Sequence, residues 1–260
     1  MKVYFIGVGP GAADLITLRG ANILGRVPMV LYAGSLVSKD MLVHCRQDAE
    51  ILDTAALDLE QQQACYRRAQ QEDFDVARLH SGDPAIYGAT AEQMRRLDAL
   101  GIDYEVIPGV SSFSAAAAVV KAELTKPEVS QTIILTRVSG RASAVPEAEA
   151  IEKLAQHRAT MCIFLSGPHL KKIVADLRLH YADDTPVRLV YRATWPEQQI
   201  YAGTLATVLK ETKRSEWGLT TMMLVGAALD NGAQVESRLY AKEYSHLFRV
   251  VKKAKKKVGD

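Results

Sequence analysis

The stretch VYFIGVGPGAAD, residues 3–14, predicts the fold class of this chain. Residues 3–8 form an apolar run that ends among glycines, the pattern of a parallel strand buried on both faces. A tight turn follows, and Asp14 is expected to cap a helix with Leu15, Leu18 and Leu24 along one face. A strand, a glycine turn and a helix in this order predict an α/β protein.

The same alternation of strands and helices continues along the chain. Further strands are expected at residues 29–32, 76–79, 104–107, 132–135, 161–165, 187–191, 200–201 and 221–225. Further helices are expected at residues 59–71, 89–100, 112–120, 147–157, 169–179 and 205–212, and the Ala-rich helix 112–120 is expected to pack close to the sheet. A polar segment with Pro127 interrupts the alternation, so we predict two α/β domains, residues 1–122 and 130–250, and a basic tail, 251–260.

Composition and charge exclude several classes of protein. The 260 residues are 48% hydrophobic and 24% charged, as is usual for a soluble globular protein. The formal net charge is +2, but residues 252–260 hold five lysines and one aspartate, so the other 251 residues carry −2. The body of the chain is therefore not basic, and nucleic-acid binding is not indicated; we expect the lysine tail to be a solvated end.

The cysteines and histidines indicate neither a disulfide framework nor a metal site. Cys45, Cys65 and Cys162 are far apart and form no CxxC pair, and no two histidines have metal-ligand spacing. This cysteine usage fits a reducing cytoplasm. No apolar run approaches the ~20 residues that span a bilayer, and the N-terminal run is short for a signal peptide, so we expect no membrane association.

The first glycine loop has three interpretations. Gly7, Gly9 and Ala12 match the G-x-G-x-x-A pattern of dinucleotide-binding proteins. Against that interpretation, Pro10 removes one amide donor, and no acidic residue follows the second strand before Asp40 to bind a ribose. The other two are a tight strand-to-helix turn and a substrate-facing loop of another fold.

Four longer segments are more specific than this loop. They are GVGPGAADLITLRG (7–20), RLHSGDPAIYGA (78–89), VIPGVSSFSAAAA (106–118) and VYRATWPEQQIYAGTL (190–205). Through them the sequence resembles the tetrapyrrole methylases from about residue 2 to residue 249. The resemblance implies two α/β domains with S-adenosylmethionine bound in a trough between them, usually in a homodimer.

Further segments resemble one branch of that family. They are YAGSLV (32–37), PEVSQTIILTR (127–137), YRATWPE (191–197) and SRLYAKEYSHLFR (237–249). The resemblance implies a methyltransferase that methylates carbon 11 of precorrin-4 or cobalt-precorrin-4 in cobalamin biosynthesis. The alternative within the family is methylation of another ring carbon or of uroporphyrinogen III.

The resemblance also implies a set of binding residues. The cofactor contacts carried over are Pro10, Ser81, Gly82, Asp83, Ile86, Ser111, Ser112, Leu165, Ser166, Arg192, Ala193 and Thr221. Three of these positions have a structural alternative: Asp83 can form an Asp-Pro turn with its own backbone, and Ser111 and Ser112 can begin and cap a helix.

The substrate should be held by cations and aromatic rings. Arginine pairs with carboxylates through two hydrogen bonds, so Arg137 and Arg141 are the candidates for the acidic side chains of a tetrapyrrole. Tyr191 and Trp195 are candidates to pack on the adenine or the macrocycle, although Trp195 can equally anchor its loop. The sequence identifies no essential catalytic residue and no general base.

Overall fold

The computed structural model describes residues 1–140, 144–230, 232, 242, 244, 245 and 247–249. Two five-stranded sheets divide these residues: the strands of one lie between residues 2 and 107, and those of the other between residues 133 and 225. The predicted α/β fold class is confirmed. The exact domain boundaries at residues 122 and 130 stay a prediction.

The N-terminal sheet is entirely parallel. Its strand order is β3-β2-β4-β1-β5, built from β1 (Lys2–Gly7), β2 (Met29–Tyr32), β3 (Glu50–Asp53), β4 (Val76–His80) and β5 (Asp103–Ile107). Strand β1 lies between β4 and β5, with Val3 and Phe5 packed in one core and Tyr4 and Ile6 in another. The expected burial on both faces is therefore confirmed.

Four helices belong to the N-terminal half: α1 (Leu18–Leu24), α2 (Leu59–Gln71), α3 (Thr90–Leu100) and α4 (Ser112–Val119). Helix α2 begins after Asp58 as predicted, because Asp58 and Gln61 accept hydrogen bonds from each other's backbone amides. The prediction for α1 is wrong in its details. Asp14 lies in a short 3₁₀ turn, the cap is Thr17, whose Oγ1 accepts from the Gly20 amide at 3.2 Å, and Leu18 is 85% exposed.

Strand β3 was not predicted, and the reason is its exposure. Glu50, Ile51 and Asp53 are exposed at the edge of the sheet, so the segment has no apolar run. Its pairing with β2 forms the strand, and sequence periodicity does not report that pairing.

The C-terminal sheet is mixed. Its order is β6-β7-β10-β8-β9, built from β6 (Ile133–Arg137), β7 (Thr160–Phe164), β8 (Pro186–Tyr191), β9 (Gln199–Thr204) and β10 (Thr221–Val225). Only β6 and β7 pair in parallel. The helices are shorter than predicted: α5 (Ile151–Ala155), α6 (Leu170–Leu177) and α7 (Val208–Glu211).

Helix α4 connects the two halves of the molecule. Its alanines Ala115, Ala116 and Ala117 pack with Cys162, Val190, Met222 and Leu224 of the C-terminal sheet. Small side chains allow a helix to approach closely, so the Ala-rich run is explained by contact with the second sheet.

Across the part of the chain that the structure describes, no helix is both long and apolar enough to cross a membrane.

Candidate active site

Three strand ends of the N-terminal sheet meet at glycines. A Cβ atom on Gly109, after β5, would lie 2.2 Å from the carbonyl oxygen of Gly82, after β4, and a Cβ on Gly7 would lie 2.6 Å from the Gly109 amide. The Gly9 amide donates to the Gly82 carbonyl (3.2 Å), and the Gly82 amide donates to the Gly9 carbonyl (2.7 Å). These backbone groups are already paired with one another and are therefore not available to bind a phosphate, which supports the tight-turn interpretation of the first loop.

Asp83 fixes the loop after β4. One carboxylate oxygen accepts from the Ala85 amide at 2.8 Å, and the other accepts from the Gly109 amide at 3.0 Å. The Asp-Pro turn interpretation therefore describes what the side chain does, with a second bond to the loop after β5. Asp83 lines the cavity described below while its two oxygens hold backbone amides.

The third loop leads into α4. Ser111 is the N-cap residue, but its side chain makes no capping hydrogen bond, and both Ser111 and Ser112 line the cavity. Helix N-termini carry a partial positive charge that favours carboxylates. This end of α4 therefore offers hydroxyl groups and backbone amides for an anionic ligand group.

The C-terminal half supplies the opposite wall. Leu165, Arg192 and Thr194 have left-handed backbones, with φ of 54°, 47° and 69°. On the facing loop, Tyr87 (54°) and Ala89 (50°) share this conformation. Left-handed non-glycine residues are uncommon and gather at functional sites, so their concentration here marks the trough between the two halves.

A clasp formed by Thr194 and Trp195 joins this wall to the first loop. The Trp195 indole Nε1 donates to the Pro10 carbonyl at 2.7 Å, and the Ala12 amide donates to Thr194 Oγ1 at 3.0 Å. Gly11 leaves room for the indole, since a Cβ there would lie 2.1 Å from Trp195 Cδ1. These contacts agree with the interpretation of Trp195 as the anchor of its loop. The ring also lines the trough.

Arg192 lies over both neighbouring aromatic rings. Its guanidinium is 4.9 Å from the ring centre of Trp195 and 5.5 Å from that of Tyr191, and it pairs with Glu197 at 3.3 Å. Such cation–π contacts hold the guanidinium and the rings together at the edge of the trough.

Eleven of the twelve predicted cofactor residues line one cavity in this trough. They are Pro10, Ser81, Gly82, Asp83, Ile86, Ser111, Ser112, Leu165, Arg192, Ala193 and Thr221. Ser166 does not line it, because its side chain is fully buried and its hydroxyl donates to the Thr221 carbonyl at 3.0 Å. Sequence reasoning missed six lining residues, most of them next to motif residues: Leu36, Tyr87, Phe164, Val190, Thr220 and Met222.

The predicted substrate residues do not all lie in one place. Arg137, at the end of β6, lines a second cavity together with Tyr87, Thr136 and Glu149. Tyr191 lies outside both cavities and packs against the C-terminal core, where a Cβ on Gly218 would touch its ring. Arg141 falls outside the described residues.

A buried polar network supports the loop after β4. The Arg78 guanidinium donates to Gln93 Oε1 (3.1 Å) and Thr54 Oγ1 (3.0 Å). His80 is buried beside it, and its Nε2 has no hydrogen-bond partner among the residues that the structure describes. Burial, together with the Arg78 charge, lowers the pKa of His80 to about 3, so the imidazole is neutral at pH 7. Among the described residues no three His, Cys, Asp or Glu side chains could hold a metal ion.

Comparison with known proteins places this geometry in a family. The chain is 47% identical over 249 residues to the precorrin-4 C(11)-methyltransferase of Pseudomonas aeruginosa, covering 96% of this chain and 99% of that protein. It is 42% identical over 253 residues to the cobalt-precorrin-4 C(11)-methyltransferase of Priestia megaterium, covering 96% and 98%.

The structure of a cobalt precorrin-4 methyltransferase, a cobalamin biosynthetic enzyme, superposes on this one with a TM-score of 0.84. The two are 43% identical, and the match covers 88% of this chain and 96% of the other. A family model described as tetrapyrrole (corrin/porphyrin) methylases matches residues 2–209. The resemblance seen in the four sequence motifs is thus confirmed over most of the chain, which belongs to the tetrapyrrole methylase family.

Proposed function

We propose that this chain transfers a methyl group from S-adenosylmethionine to carbon 11 of precorrin-4 or cobalt-precorrin-4, in cobalamin biosynthesis. The observation that carries the proposal is the 47% identity, over nearly the full length of both chains, to a precorrin-4 C(11)-methyltransferase. The convergence of the motif residues on one trough supports it, because a methyl transfer needs donor and acceptor in one enclosed place.

The residues of the trough fit S-adenosylmethionine. Ser111 and Ser112 at the start of α4 suit the carboxylate of its amino-acid end. The apolar side chains of Ile86, Phe164 and Met222 suit the adenosyl part. When bound, the cofactor supplies a methyl group that a positively charged sulfur already activates.

The contribution of the protein is alignment. The trough residues would hold S-adenosylmethionine beside the acceptor, where it would supply a methyl group to the macrocycle carbon: a carbon–carbon bond would form as the carbon–sulfur bond breaks, the C–S pair would stay on sulfur, and one proton would leave the acceptor to balance the charge. Because the donor is already activated, orientation of the reacting atoms is the main requirement, and it can lower the barrier by up to ~7–11 kcal/mol.

Arg137 is our candidate to bind a carboxylate of the acceptor. It lies in the cavity beside the trough, and guanidinium groups match carboxylates in charge and geometry. Arg141 is proposed for the same task from the sequence pattern alone.

The experiment has two stages. Calorimetric titration with S-adenosylhomocysteine should show binding by the folded protein, and absence of binding would contradict the cofactor assignment. Incubation with S-adenosylmethionine and either precorrin-4 or cobalt-precorrin-4, followed by NMR assignment of the new methyl, should place it on carbon 11. A methyl on another carbon, or methylation of uroporphyrinogen III only, would instead support the alternative within the family. Comparing the two acceptors also decides whether the substrate contains cobalt.

Two further proposals concern the oligomeric state and the location in the cell. We infer a homodimer from the family resemblance, and light scattering should give twice the 28.5 kDa of one chain. We also propose a cytoplasmic location, supported by three cysteines that are all free thiols. Fractionation of cells that produce the protein tests the location.

A further inference from the structure

Tyr87 lies where two cavities meet. One cavity is the cofactor trough, and the other is lined by Thr136, Arg137 and Glu149 together with apolar side chains of the C-terminal half. Of the described residues that line these two cavities, Tyr87 is the one that lines both. A ring in this place borders the trough on one side and the neighbouring cavity on the other.

The backbone holds Tyr87 in an unusual conformation. Its φ of 54° is left-handed, which is a genuine outlier for a bulky residue. The turn that imposes it is tight: Gly88 follows, and a Cβ there would lie 2.3 Å from the Pro84 carbonyl oxygen. Strain of this kind persists where the surrounding structure demands it and is a reason to look for function.

The ring of Tyr87 reaches across to the C-terminal half. It meets Phe164 edge-to-face with ring centres 5.0 Å apart, and the Arg137 guanidinium lies 5.5 Å from its centre. A guanidinium over an aromatic face is attracted by the ring and is restricted in orientation. Tyr87 therefore restricts the position of Arg137 from the opposite side of the trough.

We propose that Tyr87 is a positioning residue for the acceptor. By holding the Arg137 guanidinium at the junction of the two cavities, it sets where a carboxylate of the tetrapyrrole binds and hence where the macrocycle lies relative to the cofactor. This inference rests on the proposed function. It assigns to Tyr87 a role that acts through Arg137 and not through the methyl-transfer step itself.

The test is a double-mutant cycle with separate readouts for donor and acceptor. We expect Tyr87→Ala to raise the KM for the tetrapyrrole at least tenfold and the Kd for S-adenosylhomocysteine by a clearly smaller factor, because the ring also lines the trough. Tyr87→Phe keeps the ring and should recover most of the lost KM. Because the two residues act through one contact, Tyr87→Ala combined with Arg137→Ala should be no worse than Arg137→Ala alone.

Two further variants serve as a second test and as a control for the role of Tyr87. Tyr87→Gly suits the left-handed backbone, so it removes the ring without dependence on the Ala variant folding. Leu179→Ala is the matched control, since Leu179 is 61% exposed and lines neither cavity.

The outcomes separate the two proposals. If wild type methylates the tetrapyrrole and Tyr87→Ala has an unchanged KM, or the double variant shows the product of the two single effects, the role of Tyr87 is refuted and the function stands. Equal losses in cofactor and acceptor binding would likewise refute the positioning role. If wild type methylates no tetrapyrrole, both proposals fall.

Discussion

Gly109→Ala tests whether close backbone contact of three loops builds the site. The added Cβ would lie 2.2 Å from the Gly82 carbonyl oxygen and 2.7 Å from the Cα of Gly7, and both are backbone atoms that no change of rotamer can move. Gly109 does not have a positive φ, so alanine accepts its backbone conformation and only space is tested.

The expected loss follows from the hydrogen bonds that hold these loops. Restoring an ordinary contact distance requires the loops to separate by about 1 Å. That movement weakens the Gly109 amide bond to Asp83 (3.0 Å) and the two bonds between Gly9 and Gly82 (3.2 and 2.7 Å). At about 1 kcal/mol for each bond, the free energy of unfolding should fall by about 3 kcal/mol.

Gly101→Ala is the matched control, because Gly101 has a left-handed backbone in open space whereas Gly109 has a crowded site without a positive φ. Gly101 has φ of 65° and nothing within 4 Å of an added Cβ, so alanine meets conformational strain alone, about 1 kcal/mol. We expect Gly109→Ala to lower Tm by about 4–8 °C more than Gly101→Ala does, from a difference of about 2 kcal/mol.

The measurements are thermal and urea unfolding followed by circular dichroism, with calorimetric titration of S-adenosylhomocysteine. Gly109→Ala should also weaken that binding at least tenfold, while Gly101→Ala leaves it unchanged. If the two variants lose the same stability, the crowding at the strand ends does not matter and the argument from backbone contact is refuted.

Two further predictions concern the clasp and the buried histidine. Trp195→Phe removes the indole donor to Pro10, so S-adenosylhomocysteine affinity should fall about 3- to 10-fold by calorimetry. Trp217→Phe is the control, because the buried Trp217 Nε1 has no hydrogen-bond partner within the described part of the chain. Equal affinities of the two variants would contradict the clasp. For His80, burial lowers the pKa in the folded state from 6.5 to about 3, so the unfolded chain binds a proton that the folded chain does not. Stability should therefore fall as the pH drops from about 6.5 towards 3, by at most about 1.4 kcal/mol per pH unit from this group. His80→Gln should flatten that slope in urea titrations at pH 7, 6 and 5, whereas His157→Gln at an exposed site should keep it; an unchanged slope in His80→Gln would refute the assignment.

Local pattern predicted the elements with a buried face or a defined cap. Strand β2 at residues 29–32 and helix α2 at residues 59–71 begin and end where expected, because an apolar run and a capping box are local signals. Helix α1 was misread because Asp14 and Thr17 are both good caps, and only the turn at residues 13–15 decides between them.

The candidate site also contains residues that the sequence could indicate and residues that only the tertiary structure reveals. Eleven of the predicted cofactor residues line the trough, and the seven of them in the N-terminal half lie on segments after parallel strands, whose ends gather at one edge of a sheet. Motifs could not indicate Phe164 or Met222, which are ordinary core residues until the second sheet is placed opposite the first. Nor could they show that Ser166 is buried by its bond to the Thr221 carbonyl.

By itself, the sequence determined the α/β class, the restart of the alternation after residue 130, and the motifs by which the family is identified. These properties depend on neighbours in the chain. Tertiary structure alone decided that α4 packs on the second sheet, that Trp195 clasps the first loop, and that Tyr87 meets Arg137. The physical reason is that each of these contacts joins residues at least 45 positions apart, and their energy exists only once the two sheets face each other.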